Sequence, residues 1–318
     1  MHFQPTEDQE ALRAGVRDLL AGRYGREALR ASVDGAAGGG APGAGPAGGP
    51  VVDRGLWREL GEAGFFALRL PQAEGGVGLG LPEAALAFEE AGRVLLPGPL
   101  VATHLAAGLV PGAAEGKAVV TAHDLGGDLV AYLGEADAVL GASGEPVPSG
   151  EPVRSADPLT PLHRVAAYGG GDGGGVSEYR ATGALLTAAL QVGSALRTLE
   201  LAVRYAAQRE QFGQPIGGFQ AVKHLCAGML VRAEVARTAV YAAAVTADPG
   251  EIAAAKLLAD EAAVAGARDC LQVYGGMGFT WEADVHLHLK RAWVRAEQWR
   301  TAAQAEELLA EELLASGS

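Results

Sequence analysis

Positive charge is in short supply in this chain. Its 25 Lys and Arg stand against 38 Asp and Glu, a formal charge of −13. That balance argues against nucleic acid or an anionic membrane as a partner, because phosphate surfaces are held by clustered cations. Aromatic residues make up only 6% while apolar residues reach 49%, mostly Ala, Leu and Val. Such a mixture favours helix over sheet, since Ala and Leu are strong helix formers and runs of β-branched and aromatic residues are rare. Cysteine occurs twice, at Cys226 and Cys270, both within helical patterns. Two buried, unpaired thiols are expected rather than a disulfide framework. No apolar run approaches the roughly 20 residues of a bilayer-spanning helix, and the first ten residues are polar and acidic. A cytoplasmic location without a signal peptide is the simplest expectation.

What is present is mostly helical periodicity. Thr6 and Gln9 form a Thr-x-x-Gln capping box ahead of Leu12, Val16, Leu19 and Leu20. Residues 35–50 are almost wholly Gly, Ala and Pro and are expected to form a flexible surface loop. Leu56, Trp57, Leu60 and Phe65 resume the apolar pattern, a glycine cluster follows at 75–80, and a helix is expected from Pro82 to Val94. Between about Ala118 and Tyr179 short strand-like segments alternate with Gly, Pro and Asp. Beyond Tyr179 four long helices are expected in succession, the first ending near Arg209, the second starting near Phe219, the third capped by Asp248 and ending near Tyr274, the last running from about Ala283. These divide the chain into an N-terminal helical domain (1–115), a small β-rich middle domain (116–180) and a C-terminal helical bundle (181–318).

Few residues suggest chemistry by themselves. Neither glycine cluster, 75–80 or 275–278, has the G-x-G-x-x-G spacing of a dinucleotide fold, and no Walker sequence occurs. His286 and His288 lie two apart on an expected helix, so they point to different faces and make a poor metal pair. Glu282 and Asp284 follow Thr280 at a helix start, where the macrodipole favours acids. The segment Arg209-Glu210-Gln211-Phe212-Gly213 is more suggestive. There a fork-shaped cation and an amide leave a long helix at a Phe-Gly turn, an arrangement suited to a pyrophosphate. A helix C-cap with its customary arginine would read the same way.

Four segments, in order, carry a resemblance to acyl-CoA dehydrogenases. Leu70-Pro71 through Gly75-Gly76-Val77-Gly78-Leu79 is similar to the family's L-P-x-x-x-G-G-x-G-L. Tyr205 through Arg209, Gln211-Phe212-Gly213 and Ile216 resembles Y-x-x-x-R-x-Q-F-G-x-x-I, and Phe219-Gln220 matches the Phe-Gln that follows it. Gln272 through Gly275-Gly276-Met277-Gly278-Phe279 resembles Q-x-x-G-G-x-G-[FY]. The resemblance implies a mainly α fold with a small β middle domain, and FAD as cofactor. It also implies that Arg209, Gln211, Phe212, Phe219, Gln220, Gln272, Gly275 and Gly276 hold the adenosine-diphosphate part of the flavin across a subunit boundary.

Departures from the family pattern bear on catalysis. Family members abstract the α-proton of an acyl-CoA thioester with a glutamate while the β-hydride passes to flavin N5. Counting without gaps from the conserved motifs places the two known positions of that base at Trp299 and Gly183, neither of which accepts a proton. The middle-domain segments that cover the flavin ring, T-E-P-x-x-G-S-D and W-[IV]-[TS], have no counterpart between Ala118 and Tyr179. This pattern resembles the degenerate subunits of actinobacterial α2β2 acyl-CoA dehydrogenases, some acting on steroid side-chain CoA thioesters. The implied partners are a homologous glutamate-bearing subunit, an acyl-CoA and an electron-transfer flavoprotein. A self-sufficient homo-oligomer with Glu282 as a relocated base, and a flavin-free scaffolding subunit, are the alternatives.

Overall fold

The computed structural model describes residues 4–36, 49–141, 147–165 and 179–316. Most of the expected Gly/Ala/Pro loop (37–48) lies outside the described residues. The N-terminal helices are α1 (Glu7–Arg23), α2 (Arg26–Ala36), α3 (Arg54–Glu62), α4 (Leu81–Arg93) and α5 (Leu100–Leu105). The expected capping box opens α1: Gln9 N–H donates to Thr6 Oγ1 at 3.3 Å, and Thr6 N–H donates to Gln9 Oε1 at 2.9 Å.

The middle of the chain is β-structure in small pieces. β1 (Val120–Thr121) pairs in parallel with β3 (Ala138–Val139). β2 (Leu129–Ala131) and β4 (Gly150–Val153) flank β5 (Leu162–Val165) in an antiparallel sheet. None of these strands exceeds four residues, so their stability comes from packing on the helices.

The C-terminal part is built on α6 (Arg180–Gln208), α7 (Gln220–Thr246), α8 (Pro249–Tyr274) and α9 (Val285–Glu297). The Asp248 side chain caps α8, accepting from Glu251 N–H at 2.9 Å. The last expected helix departs from the pattern: it is two helices, α9 and α10 (Ala302–Ser316), parted at Gln298–Thr301. Trp299 there has φ 62°, a left-handed backbone that no helix accommodates. Periodicity hid the break because apolar residues continue at helical spacing on both sides.

One core runs through all three segments, joining Trp57, Phe66 and Phe88 to Ala122, Leu185, Ala255, Leu287 and Trp299. Its helices approach closely because small residues line their contacts. A Cβ on Gly193 of α6 would stand 1.9 Å from the Glu89 carbonyl oxygen, and one on Gly92 of α4 would stand 2.1 Å from that of Leu190. Backbone therefore touches backbone where α4 crosses α6, which explains how an alanine-rich, aromatic-poor chain can fill its interior. Cys270 is buried, its thiol pushed up to about 12 by burial, and Cys226 is half-buried, less enclosed than expected.

Buried ion pairs tie the segments together. Asp157 of the middle region and Arg291 of α9 are both buried and paired, and Arg291 also donates to the Leu96 carbonyl at 3.3 Å. Lys256 pairs with Asp260 one turn along α8 at 2.5 Å, and Gln191 of α6 donates to the same carboxylate at 3.0 Å. Asp157→Ala would leave Arg291 charged and buried beside Arg295. A loss of about 3–5 kcal/mol is expected in urea unfolding, against near-neutrality if the pair only spans loose surface.

Candidate functional site

Antiparallel α6 and α7 followed by α8 bring three of the expected motif segments to one end of the bundle. Arg209 is the C-cap of α6, with its N–H bonded to the Tyr205 carbonyl at 2.8 Å. The chain then turns back as a hairpin, β6 (Glu210–Gln211) pairing with β7 (Gln214–Pro215). Its two loop residues, Phe212 and Gly213, have φ 54° and 79°. Positive φ at both central positions is the type I′ geometry, which matches the twist of the flanking strands. Glycine adopts it without cost, but phenylalanine does so at about 1–3 kcal/mol.

The strained Phe212 is also 93% exposed. It meets Phe219, the N-cap of α7, edge to face at 6.1 Å. Across the bundle end, Tyr205 of α6 stacks on Tyr274 of α8 with centroids 4.0 Å apart and planes 15° apart. That stack joins the Arg209 hairpin to the Gly275–Gly276 turn. A Cβ at Gly213, Gly275 or Gly276 would meet nothing within 4 Å, so these backbones face open space. Arg209, Gln211, Gln220 and Gln272 are all exposed there. The expected residues thus lie towards one end of the bundle with guanidinium, amides and bare backbone exposed, groups of the kind that bind a phosphate. The Tyr205–Tyr274 contact was not anticipated, although both tyrosines stand in the quoted motifs.

The opposite end of α6 is closed. Trp299 is 3% exposed, and its indole lies on Gly183: a Cβ there would stand 2.2 Å from the ring. The two positions reached by separate counting are therefore in contact. The Gln298–Arg300 turn is pinned to the middle region, Trp299 N–H donating to the Asp124 carbonyl at 2.6 Å and Gln298 Nε2 to Asp124 Oδ2 at 2.8 Å. The cavity beside them is about 30 Å³, lined by Gly98, Pro99, Ala122, Asp124, Arg295 and Trp299 among others. That is room for a water or two and far too small for a flavin ring or a thioester.

Asp124 is the carboxylate in this cavity. Its Oδ1 is buried without a hydrogen bond, and burial pushes its carboxyl up to about 7. An acid whose folded pKa is raised binds more protons folded than unfolded, so its contribution falls as pH rises from its unfolded value near 4 towards 7. Asp124→Asn is therefore expected to gain stability relative to the parent between pH 5 and 8. Parallel melting curves at the two pH values would sink the assignment.

The other titratable candidates lie elsewhere. Glu282 is exposed in the turn before α9, so the thirteen residues of that helix, about 20 Å, separate it from Trp299. Hydrogen bonds to its own backbone and to Thr280 hold its carboxyl below the usual range. Asp284 is the N-cap of α9 and pairs with Arg26 at 2.6 Å. His288 Nδ1 meets Ser194 Oγ at 2.8 Å, whereas His286 stacks on Trp281, so the two histidines do face different neighbours.

Comparison with known proteins gives the family. Residues 6–118 match the family model of the acyl-CoA dehydrogenase N-terminal domain, and residues 178–304 match that of the C-terminal domain. Acyl-CoA dehydrogenase IpdE2 of Mycobacterium tuberculosis is 35% identical over 308 residues, covering 91% of this chain and 92% of the relative. Among solved structures, a chain of the ChsE4-ChsE5 complex from Mycobacterium tuberculosis superposes with a TM-score of 0.82 at 23% identity, covering 99% of this chain and 99% of that one. A chain of the Tcur3481-Tcur3483 steroid ACAD gives 0.79 at 23%, covering 98% of both. No helix among the described residues is long and apolar enough to cross a membrane. With a full-length relative at this identity and both terminal domains matched, the chain belongs to the acyl-CoA dehydrogenases, FAD-dependent oxidoreductases with helical outer domains around a small β region.

Proposed function

We propose that this chain is the partner-type subunit of a heteromeric acyl-CoA dehydrogenase. It holds the adenosine-diphosphate part of FAD with Arg209, Gln211, Phe212, Phe219, Gln220, Gln272 and the Gly275–Gly276 turn, and a homologous subunit supplies the catalytic glutamate. The observation that carries this reading is the Trp299 indole seated on Gly183. It fills the place where the base and ring pocket would be, while the opposite end keeps its exposed phosphate-binding groups.

Distance supports the division of labour. Gly183 and Arg209 are separated by most of the length of α6, roughly 40 Å at 1.5 Å per residue. One extended dinucleotide does not reach from one to the other, so the Arg209 end serves a flavin whose ring lies in another subunit. FAD, when bound, accepts the hydride of the desaturation. This chain's residues orient it through its phosphates and adenosine. A complex of two chain types and a steroid CoA thioester as substrate suit the ChsE4-ChsE5 complex and the steroid ACAD among the structural neighbours; an electron-transfer flavoprotein as acceptor is what the family resemblance implies. The remoteness of Glu282 from Trp299 speaks against a self-sufficient homo-oligomer.

The test is flavin absorbance and native mass, first of the chain alone and then co-expressed with a glutamate-bearing homologue. A colourless chain that gains FAD and acyl-CoA oxidation only in the mixed assembly is expected. A yellow homo-oligomer that oxidises acyl-CoA unaided would overturn the proposal.

A further inference from the structure

A second concavity, bordered on one side by the Tyr205–Tyr274 stack and Met277 of the flavin end, has no role in the flavin arrangement. It is a cleft of about 680 Å³ between the α1–α2 corner, the end of α4, the second half of α6 and the start of α9. Its volume falls in the range that encloses small organic ligands. Leu20, Leu29, Val94, Leu201 and Val285 make an apolar lining, and Tyr24 and the Tyr205–Tyr274 stack add flat aromatic wall.

The rim is cationic, although the chain as a whole carries −13. Arg17 and Arg93 share Glu90, Arg93 and Arg197 share Glu200, and Arg26 and Arg30 share Asp284. Arg204 and Glu282 complete the charged lining. Of these, five guanidiniums (Arg17, Arg26, Arg93, Arg197 and Arg204) and three carboxylates (Glu90, Glu282 and Asp284) line the cleft, an excess of two positive charges among the described residues. Where two arginines share one acid, as at Glu90 and Asp284, their N–H donors outnumber the lone pairs of the carboxylate, which suits an incoming anion.

Two buried groups on the lining fit the same reading. Tyr24 is only 4% exposed, and its buried hydroxyl makes no hydrogen bond of ordinary geometry, although Ser32 lies beside it. His288, buried at the inner wall, is pushed down to about 3 by burial and by Arg197, Arg295, Arg291 and Arg93, so it stays neutral and adds no charge to the floor.

We infer that this cleft is a binding site for an amphipathic organic anion, an apolar body with one carboxylate- or phosphate-type head, held head-outward on the arginine rim. None of the residues proposed to hold the flavin lines the cleft, although the Tyr205–Tyr274 stack and Met277 border both, so flavin content is read alongside ligand binding.

Isothermal titration of the full-length chain, co-purified with its partner where it requires one, would use dodecanoate below its micellar concentration. Dodecyl phosphate, dodecanol and inorganic phosphate are the comparison ligands. Saturable dodecanoate binding is expected, at least fivefold weaker for dodecanol and undetectable for inorganic phosphate. The stronger of dodecanoate and dodecyl phosphate identifies the head group. Arg204→Ala, an exposed change, is expected to weaken binding about five- to tenfold, and Leu201→Trp, which fills the cleft, to abolish it, with flavin content unchanged in both. Equal affinity for dodecanol, or dodecanoate binding that neither substitution alters, would overturn the site. Because a partner's acyl site could also take dodecanoate, the response to these substitutions is what locates the binding.

Discussion

Arg209→Ala is expected to strip FAD from the assembled complex during gel filtration and to weaken flavin binding roughly 10- to 100-fold. A hydrogen bond to a charged group contributes about 1.5–3 kcal/mol, and each 1.4 kcal/mol is a factor of ten in affinity. Arg209 is exposed at the α6 C-cap, so its side chain can be removed without opening the core, and the melting temperature of the flavin-free chain should stay within about a degree. Arg209→Lys keeps the charge but not the planar fork and should fall between parent and alanine variant. Flavin content equal to that of the parent in the alanine variant would remove Arg209 from the site. Phe212→Ala is a useful companion: it abolishes an exposed aromatic contact but leaves the left-handed turn, so a smaller loss of flavin is expected.

Much of this architecture is legible before any coordinates. Thr6, Asp248 and Pro249 mark helix starts because capping chemistry is local, and the structure places helices there. The short strands between Val120 and Val165 are also visible, since β-branched pairs separated by Gly and Pro have few other ways to fold. What escapes sequence reading is non-local. No periodicity announces the break at Trp299, because its cause is packing against Gly183 and a backbone bond to Asp124. The Arg-rich cleft is equally hidden: its cations come from α1, α2, α4 and α6, and each looks like an ordinary surface residue on its own helix. The flavin-end residues lie in between. Their motifs can be read directly, but the contact that brings two of those motifs together, the Tyr205–Tyr274 stack between the ends of two helices, cannot.

Trp299→Ala is expected to cost about 3–5 kcal/mol, the range for removing a large buried aromatic, and yet to leave the turnover of the mixed complex within about twofold below its melting point. The two halves follow from different facts. The indole is buried against Gly183 and its turn is pinned to Asp124 by Trp299 N–H and Gln298 Nε2, so its loss opens a cavity the pinned turn cannot collapse. Catalysis, if the glutamate belongs to the other subunit, never uses this end of the bundle. The contact itself can be isolated by a double-mutant cycle. Gly183→Ala should destabilise the parent by about 1–3 kcal/mol, because the new methyl would overlap the ring. In the Trp299→Ala background the same methyl enters empty space and should be nearly neutral, giving a coupling of about 1–3 kcal/mol. Additive costs would mean that ring and glycine are not in contact. A large fall in turnover with intact stability would instead mean that the closed end takes part in the reaction, and that the base must be sought there.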